Sequence, residues 1–217
     1  MKNLLETVKN SPLFHGIAFS DFEKMLGCLS AQTSRYKKDE VILMTGDAIS
    51  FVGLILSGGV QLTNEDFHGR STILAEFFAT EIFGEVFACA EITHSPITIS
   101  ATEDTEILFI NYKCIITPCA AACPFHATLI KNMLKIIAQK NLFLNRKLEI
   151  LSKRSTREKL LHYFDTQRGA DKKFTIAFNR EELANFLCVD RSAMSSELGK
   201  MRDEGLIKFE RNRFEIL

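Results

Sequence analysis

The sequence predicts an α+β chain in three successive parts: a β-rich N-terminal roll, one long amphipathic helix, and a small helical unit closed by a hairpin. Three observations carry this. Between residues 34 and 111, short runs of β-branched and aromatic residues alternate with turn signals. From Ile130 to Leu151, apolar residues recur in alternating steps of four and three. From Asn179 onward, two capped helical segments flank a tight turn, and a basic-tipped hairpin follows. The parts divide as 1–117, 118–152 and 153–217.

Residues 3–30 read as short helices, with Leu4, Leu5, Val8 and Leu13 apolar and Ser20 capping a segment that carries Phe22, Met25 and Leu26. Strands follow. Residues 41–44 end at Thr45-Gly46-Asp47, residues 51–56 end at Ser57-Gly58-Gly59, and residues 60–63 meet a hairpin loop over 64–69. Residues 71–78, 97–101 and 106–110 complete the set. Short strands with regular turns indicate a sandwich, roll or barrel.

After Pro118 the pattern turns helical. Ile130, Leu134, Ile137, Asn141, Leu144, Leu148 and Leu151 form a heptad seam over three heptads, with Asn141 at a core position. A strict seam of this kind fits a two-helix interface between copies of the chain better than a helix packed only on its own sheet, so a homodimer is expected. A buried Asn can pair across a symmetric interface and set its register. Ser152-Lys153-Arg154 is the expected hinge, and 156–164 the first helix of the C-terminal part.

There, Asn179 can cap a helix with Glu182 completing a capping box, and Leu183, Phe186 and Leu187 form its apolar stripe. Cys188-Val189 makes the turn, Asp190 caps the second helix, and Met194, Leu198 and Met201 recur at helical spacing. Gly205 stops that helix, and strands over 206–209 and 214–217 flank Arg211-Asn212-Arg213. This is a winged helix-turn-helix layout. It leaves Arg191, Ser192, Ser195 and Ser196 toward solvent. Short hydroxyls permit close approach to a base edge or phosphate, where a helix built only to pack carries long charges outside. Arg180, Arg211 and Arg213 join them as candidate DNA contacts.

Net charge is zero, but its distribution is uneven. Residues 1–145 carry 11 Lys and Arg against 15 Asp and Glu, whereas 146–217 carry 16 against 12. An acidic front and a basic back suit a sensor joined to a DNA reader. No apolar run approaches the roughly 18 residues of a membrane span, and residues 1–10 lack a signal-peptide core. The expected setting is cytoplasmic with no membrane partner, which keeps the six Cys reduced.

In order and motifs the whole chain resembles the CRP/FNR family of bacterial transcription regulators. Gly46-Asp47 lies after a strand as in the family's early turn, Gly84-Glu85-Val86 resembles its Gly-Glu-Leu, and 180–207 fits its helix-turn-helix. The resemblance implies a double-stranded β-helix (jelly-roll) sensor of the cyclic-nucleotide-binding type, a dimerisation helix and a winged helix-turn-helix. It also implies double-stranded operator DNA, a second copy of the chain and RNA polymerase as partners, and an effector that sets DNA affinity. The departures narrow the effector. Where cAMP-binding members place an Arg-Ser pair on the cyclic phosphate, this chain has Ser95-Pro96, and where they offer Thr-Ser to the adenine it has Leu144-Asn145. Glu85 alone would repel a phosphate, so cAMP is not expected. The pocket is instead expected between roll and long helix, with Phe77, Val86 and Leu144 lining it for an unknown, apolar effector. Oxygen-sensing members hold an iron–sulfur cluster through N-terminal Cys residues, and none precedes Cys28 here.

Cys114, Cys119, Cys123 and His126 form the chain's other distinctive group. Three thiolates and an imidazole could hold zinc or an iron–sulfur cluster and make a metal- or redox-sensing regulator. The same cysteines also suit the role of small buried hydrophobes in an Ala-rich stretch, and Pro124 interrupts the helix before His126. Cys28, Cys89 and Cys188 read as isolated. A cupin-like barrel enzyme is the remaining alternative, but His68 and His94 stand singly and no nucleophile elbow or phosphate-binding loop is present. The chain is expected not to be an enzyme.

Overall fold

The computed structural model describes residues 2–65, 71–117, 123–168 and 172–217. It divides into two compact units, Met1–Gln139 and Lys140–Leu217. Among the described residues, no helix is long and apolar enough to cross a membrane.

The first unit begins with α1 (Lys2–Asn10) and α2 (Phe22–Cys28) and continues into eight strands. One antiparallel sheet runs β1 (Gln32–Tyr36), β8 (Thr105–Asn111), β3 (Phe51–Ser57), β6 (Ile82–Phe83). The other runs β2 (Val41–Leu43), β7 (Thr98–Ala101), β4 (Gly59–Glu65), β5 (Ser71–Phe78). Two short helices, α3 (Glu85–Cys89) and α4 (Tyr112–Ile116), interrupt the roll before the long α5 (Phe125–Leu151).

β3 shows why the roll forms. Its side chains alternate between two cores, as a period of two requires. Ile55 points into the roll with Ile107, Val60, Phe83 and Ile99. Val52, Leu54 and Leu56 point outward, where Phe14, Phe22, Met25, Phe125, Leu129 and Met133 cover them. A strand buried on both faces reads as a continuous apolar run. Gly53 sits on the inward side beneath the Phe83 ring, where a Cβ would lie 2.3 Å from the ring tip. The N-terminal half of α5 is held by Asn132, whose side-chain amide donates to the carbonyls of Leu13 (2.9 Å) and His15 (2.8 Å).

The second unit joins the last turns of α5 to α6 (Thr156–Gln167), α7 (Arg180–Leu187), α8 (Arg191–Asp203) and a sheet ordered β10 (Ile207–Glu210), β11 (Arg213–Ile216), β9 (Lys173–Thr175). Leu160, Phe164, Leu183, Leu187, Met194, Leu198, Met201 and Phe214 form its core with Ile150 from α5. Each of these large side chains stabilises the unit by about 1.5–3 kcal/mol relative to exposure. The sequence reading had not found β9. Both the box of Asn179 with Glu182 and one of Ser155 with Glu158 are formed.

Candidate nucleic-acid interface and sensor pocket

α8 is built to show one face. Asp190 accepts the Ala193 N–H at 2.8 Å and caps the first turn, while Met194, Leu198 and Met201 turn inward. Arg191, Ser192, Ser195 and Ser196 are exposed on the other side. The Ser192 hydroxyl donates to Asp190 Oδ1 at 2.5 Å, which with the Ala193 amide holds this carboxyl below its ordinary range. Ser195 donates back to the Arg191 carbonyl at 2.9 Å. The helix surface is therefore low and polar, with Arg191 its long donor at the N-terminal end. Cys188 makes the turn before α8 in the left-handed region, at φ 50°, and Lys159 on α6 donates to the Leu187 carbonyl at 3.1 Å.

The wing is a two-residue hairpin. Arg211 takes φ 54° at its tip, and both Arg211 and Arg213 are exposed. Arg180 packs within the unit. Its guanidinium folds over the rings of Phe209 (4.8 Å) and Phe214 (5.1 Å), and Nη2 donates to the Arg211 carbonyl at 3.1 Å. Burial lowers its pKa and leaves Nη1 without a partner among the described residues. Arg180 thus clamps the wing to the start of α7. Sequence spacing placed it at a helix N-terminus but could not show that two aromatic rings from the hairpin would claim it.

In the roll, Gly84 takes φ 80° and opens α3, with Glu85 buried in its first turn and Val86 exposed. Gly46 takes φ 93°, and Asp47 accepts the Met44 N–H at 2.8 Å. Ser95 is buried and committed to the backbone. Its hydroxyl donates to the Ile97 carbonyl (2.6 Å), its N–H donates to the Asp47 carbonyl (2.8 Å), and its carbonyl accepts from Gly46 (2.8 Å). Pro96 beside it is exposed. Phe77 is half-buried against the roll core. Leu144 and Asn145 belong to the second unit, both exposed, with the Asn145 amide donating to Asn141 Oδ1 at 2.9 Å.

The seam residues of α5 divide by exposure. Leu134 and Leu148 are each 63% exposed and Leu144 is 56% exposed. Ile130, Ile137 and Leu151 are half-buried, Ile137 against the core that α1, α2 and the roll share. Asn141 is exposed.

Cys119 lies outside the described residues. Cys114 on α4 and Cys123 before α5 are both half-buried. His126 is buried, and its Nε2 lies 3.4 Å from Sγ of Cys28, which the sequence had left as an isolated core residue. Among the described residues, no three His, Cys, Asp or Glu side chains converge as a metal site would require.

Comparison with known proteins bears on both units. The family model described as Cyclic nucleotide-binding domain matches residues 33–119, and the one described as Crp-like helix-turn-helix domain matches 158–217. Among solved structures, the catabolite activator protein of Thermus thermophilus is similar at 24% identity and a TM-score of 0.55, over 95% of this chain and 94% of that one. CLP of Xanthomonas campestris, described as a c-di-GMP responsive global regulator, is similar at 16% identity and 0.59, over 92% and 99%. DNR from Pseudomonas aeruginosa is similar at 16% identity and 0.52, over 98% and 92%. These likenesses establish the fold. No match among the curated proteins reaches significance. The two family models together span most of the chain, one on the roll and one on the winged unit: the chain belongs to the CRP/FNR family of DNA-binding transcription regulators.

Proposed function

We propose that this regulator acts as a homodimer that sets α8 of each protomer in successive major grooves, under control of an effector other than cAMP. The observation that carries DNA reading is the division of α8 into a buried Met194, Leu198, Met201 stripe and an exposed Arg191, Ser192, Ser195, Ser196 face. Two-fold symmetry would place half-sites about 34–36 Å apart, or a multiple of it. The exposed Leu134, Leu144 and Leu148 support pairing through α5, since a lone helix gains nothing from showing three leucines on one stripe.

The effector reading rests on Ser95. A cyclic phosphate needs a bidentate cation, and this position offers a hydroxyl already bonded to backbone. With Phe77 and Val86 nearby in sequence order and Glu85 buried, an aromatic or acyl-type ligand suits the roll better than a nucleotide. The similar CLP is described as c-di-GMP responsive, and c-di-GMP, itself a phosphate ligand, meets the same objection. RNA polymerase is the expected protein partner of the DNA-bound form. Gel-shift titration against the promoter of the protein's own gene tests the DNA reading. Specific retardation supports it, and binding that does not distinguish promoter from random DNA overturns it.

A further inference from the structure

We infer that Asp190, Ser192 and Ser195 give the N-terminal end of α8 an acceptor-only surface, which selects bases that carry an amino group in the major groove, cytosine or adenine. The inference rests on the reading of α8 as the groove helix and names the base chemistry that its face accepts. All three residues are exposed beside Arg191. A serine hydroxyl has one proton to donate and two lone pairs. Here both serine protons are committed within the helix. Ser192 donates to Asp190 Oδ1 at 2.5 Å, and Ser195 donates to the Arg191 carbonyl at 2.9 Å. An ionised Asp190 has acceptors alone, and its Oδ1 also takes the Ala193 N–H at 2.8 Å. Lone pairs are what these three side chains have left to offer. Arg191, with donors and no acceptor, is their opposite.

These bonds persist when DNA approaches. An O–H···O⁻ bond is about twice as strong as a neutral one, and the Ser192–Asp190 distance falls in its range. To donate to a base, Ser192 would have to leave a carboxylate for a neutral acceptor. The Ser192 hydroxyl and then the Ala193 amide hold the Asp190 carboxyl below its ordinary range. Its place at the start of a helix favours negative charge as well. Ser195 makes the local bond to the carbonyl four residues back that serines make within helices.

In the major groove only cytosine N4 and adenine N6 present donors, whereas guanine and thymine present acceptors and a methyl group. An acceptor pressed against an acceptor is desolvated without a partner, so guanine O6 or thymine O4 is rejected at these contacts. Phosphates have no proton to give at neutral pH either, so the three residues add nothing to general affinity for the backbone. Arg191, Arg211 and Arg213 supply the cations for that. The face therefore combines one donor, suited to guanine, with neighbouring acceptors suited to an amine.

The test uses the full chain and operators selected from a random pool by wild type, Ser192→Ala, Ser195→Ala and Asp190→Asn. Positions whose conservation a serine variant loses mark the contacts, and wild type should hold cytosine or adenine there. Synthetic operators with 2-pyrimidinone for that cytosine, or purine for that adenine, lack only the amine. Wild type should bind them about 5-fold or more weaker than the parent, and random DNA should be bound alike by wild type and both serine variants. Asn ranks with Asp as a helix cap, so Asp190→Asn keeps α8 but offers an amide donor, and preference should move toward guanine or thymine. The analogue measurement needs no variant and so stands whether or not a variant folds. Equal binding of analogue and parent operators overturns the inference, as does guanine or thymine at the marked positions, or no position marked at all. In those cases specific binding by wild type leaves the groove reading intact. Wild type that binds operator and random DNA equally overturns both.

Discussion

Arg157 on α6 meets Glu204, the residue that ends α8, fork to fork, with Nη1 2.7 Å from Oε2 and Nη2 2.8 Å from Oε1. Its Nε donates to Glu197 at 2.5 Å. One cation therefore ties the first helix of the winged unit to the middle and the end of the recognition helix. Glu204, and then Glu197, raise the Arg157 pKa, and Arg157 in turn holds the Glu204 carboxyl below its ordinary value of 4.5.

A carboxyl that titrates lower when folded contributes stability above its unfolded pKa and loses it as pH falls through the folded one. Arg157→Met should therefore melt below the wild type at neutral pH, and the gap should close on acidification. Thermal melts across the acid range check this. A gap independent of pH would mean that Arg157 acts through packing of its stem.

Ser95 leads to the second prediction. Its hydroxyl, N–H and carbonyl are all engaged in the turn that holds residues 46–47 against residues 95–97. Calorimetry with excess cAMP should show no saturable heat. Saturable binding that responds to mutation of Glu85 or Asn145 would overturn the effector reading.

Much of this was legible in sequence because it depended on local period and local caps. β3 announced itself through an unbroken apolar run, and α8 through Asp190 and the Met194, Leu198, Met201 spacing. β9 was not legible: three residues carry too little pattern, and it exists because Phe174 packs on Phe214, their rings 5.9 Å apart. The contact of Cys28 with His126 was hidden for a related reason. Spacing along the chain pointed His126 toward Cys114, whereas packing of α2 against the start of α5 brought a thiol from the far N-terminus. The packing of Arg180 was not legible because charge at a helix start looks the same in sequence whether or not a neighbouring ring meets it.

Arg180 supplies the third prediction. Cation–π contacts of a part-buried Arg contribute about 0.5–2 kcal/mol. Arg180→Ala should lower the stability of the winged unit by about that amount and weaken DNA binding uniformly across sequences. Denaturant titration together with binding to a panel of operators checks it. A change in preference at one base position would restore a direct groove contact.

The exposed leucines of α5 give the fourth. If Leu134 and Leu148 meet their counterparts in a second chain, each buried side chain stabilises the pair by about 1.5–3 kcal/mol. The double variant Leu134→Lys with Leu148→Lys would place like charges along that seam, and sedimentation should show monomer at micromolar concentration. A dimer that survives both changes forms elsewhere.

The last concerns how α8 reads its operator. The family's recognition helix carries Glu where Ser192 stands and Arg where Ser196 stands. Here Ser192 is bonded to Asp190 and Ser195 to the Arg191 carbonyl. Arg191 is therefore the long side chain on the proposed reading face, and Ser196 a short one. Two short hydroxyls in place of a carboxylate and a guanidinium cannot span the same base edges, so selection from a random pool should return an inverted repeat unlike the catabolite-activator half-site. If Arg191 pairs with a guanine, Arg191→Ala should cost about 1–3 kcal/mol and relax preference at one position. If it clamps a phosphate, the loss should be uniform and the salt dependence should become shallower by about one counterion per contact. Recovery of the standard half-site would refute the specificity argument, and unchanged binding by Arg191→Ala would remove Arg191 from the interface.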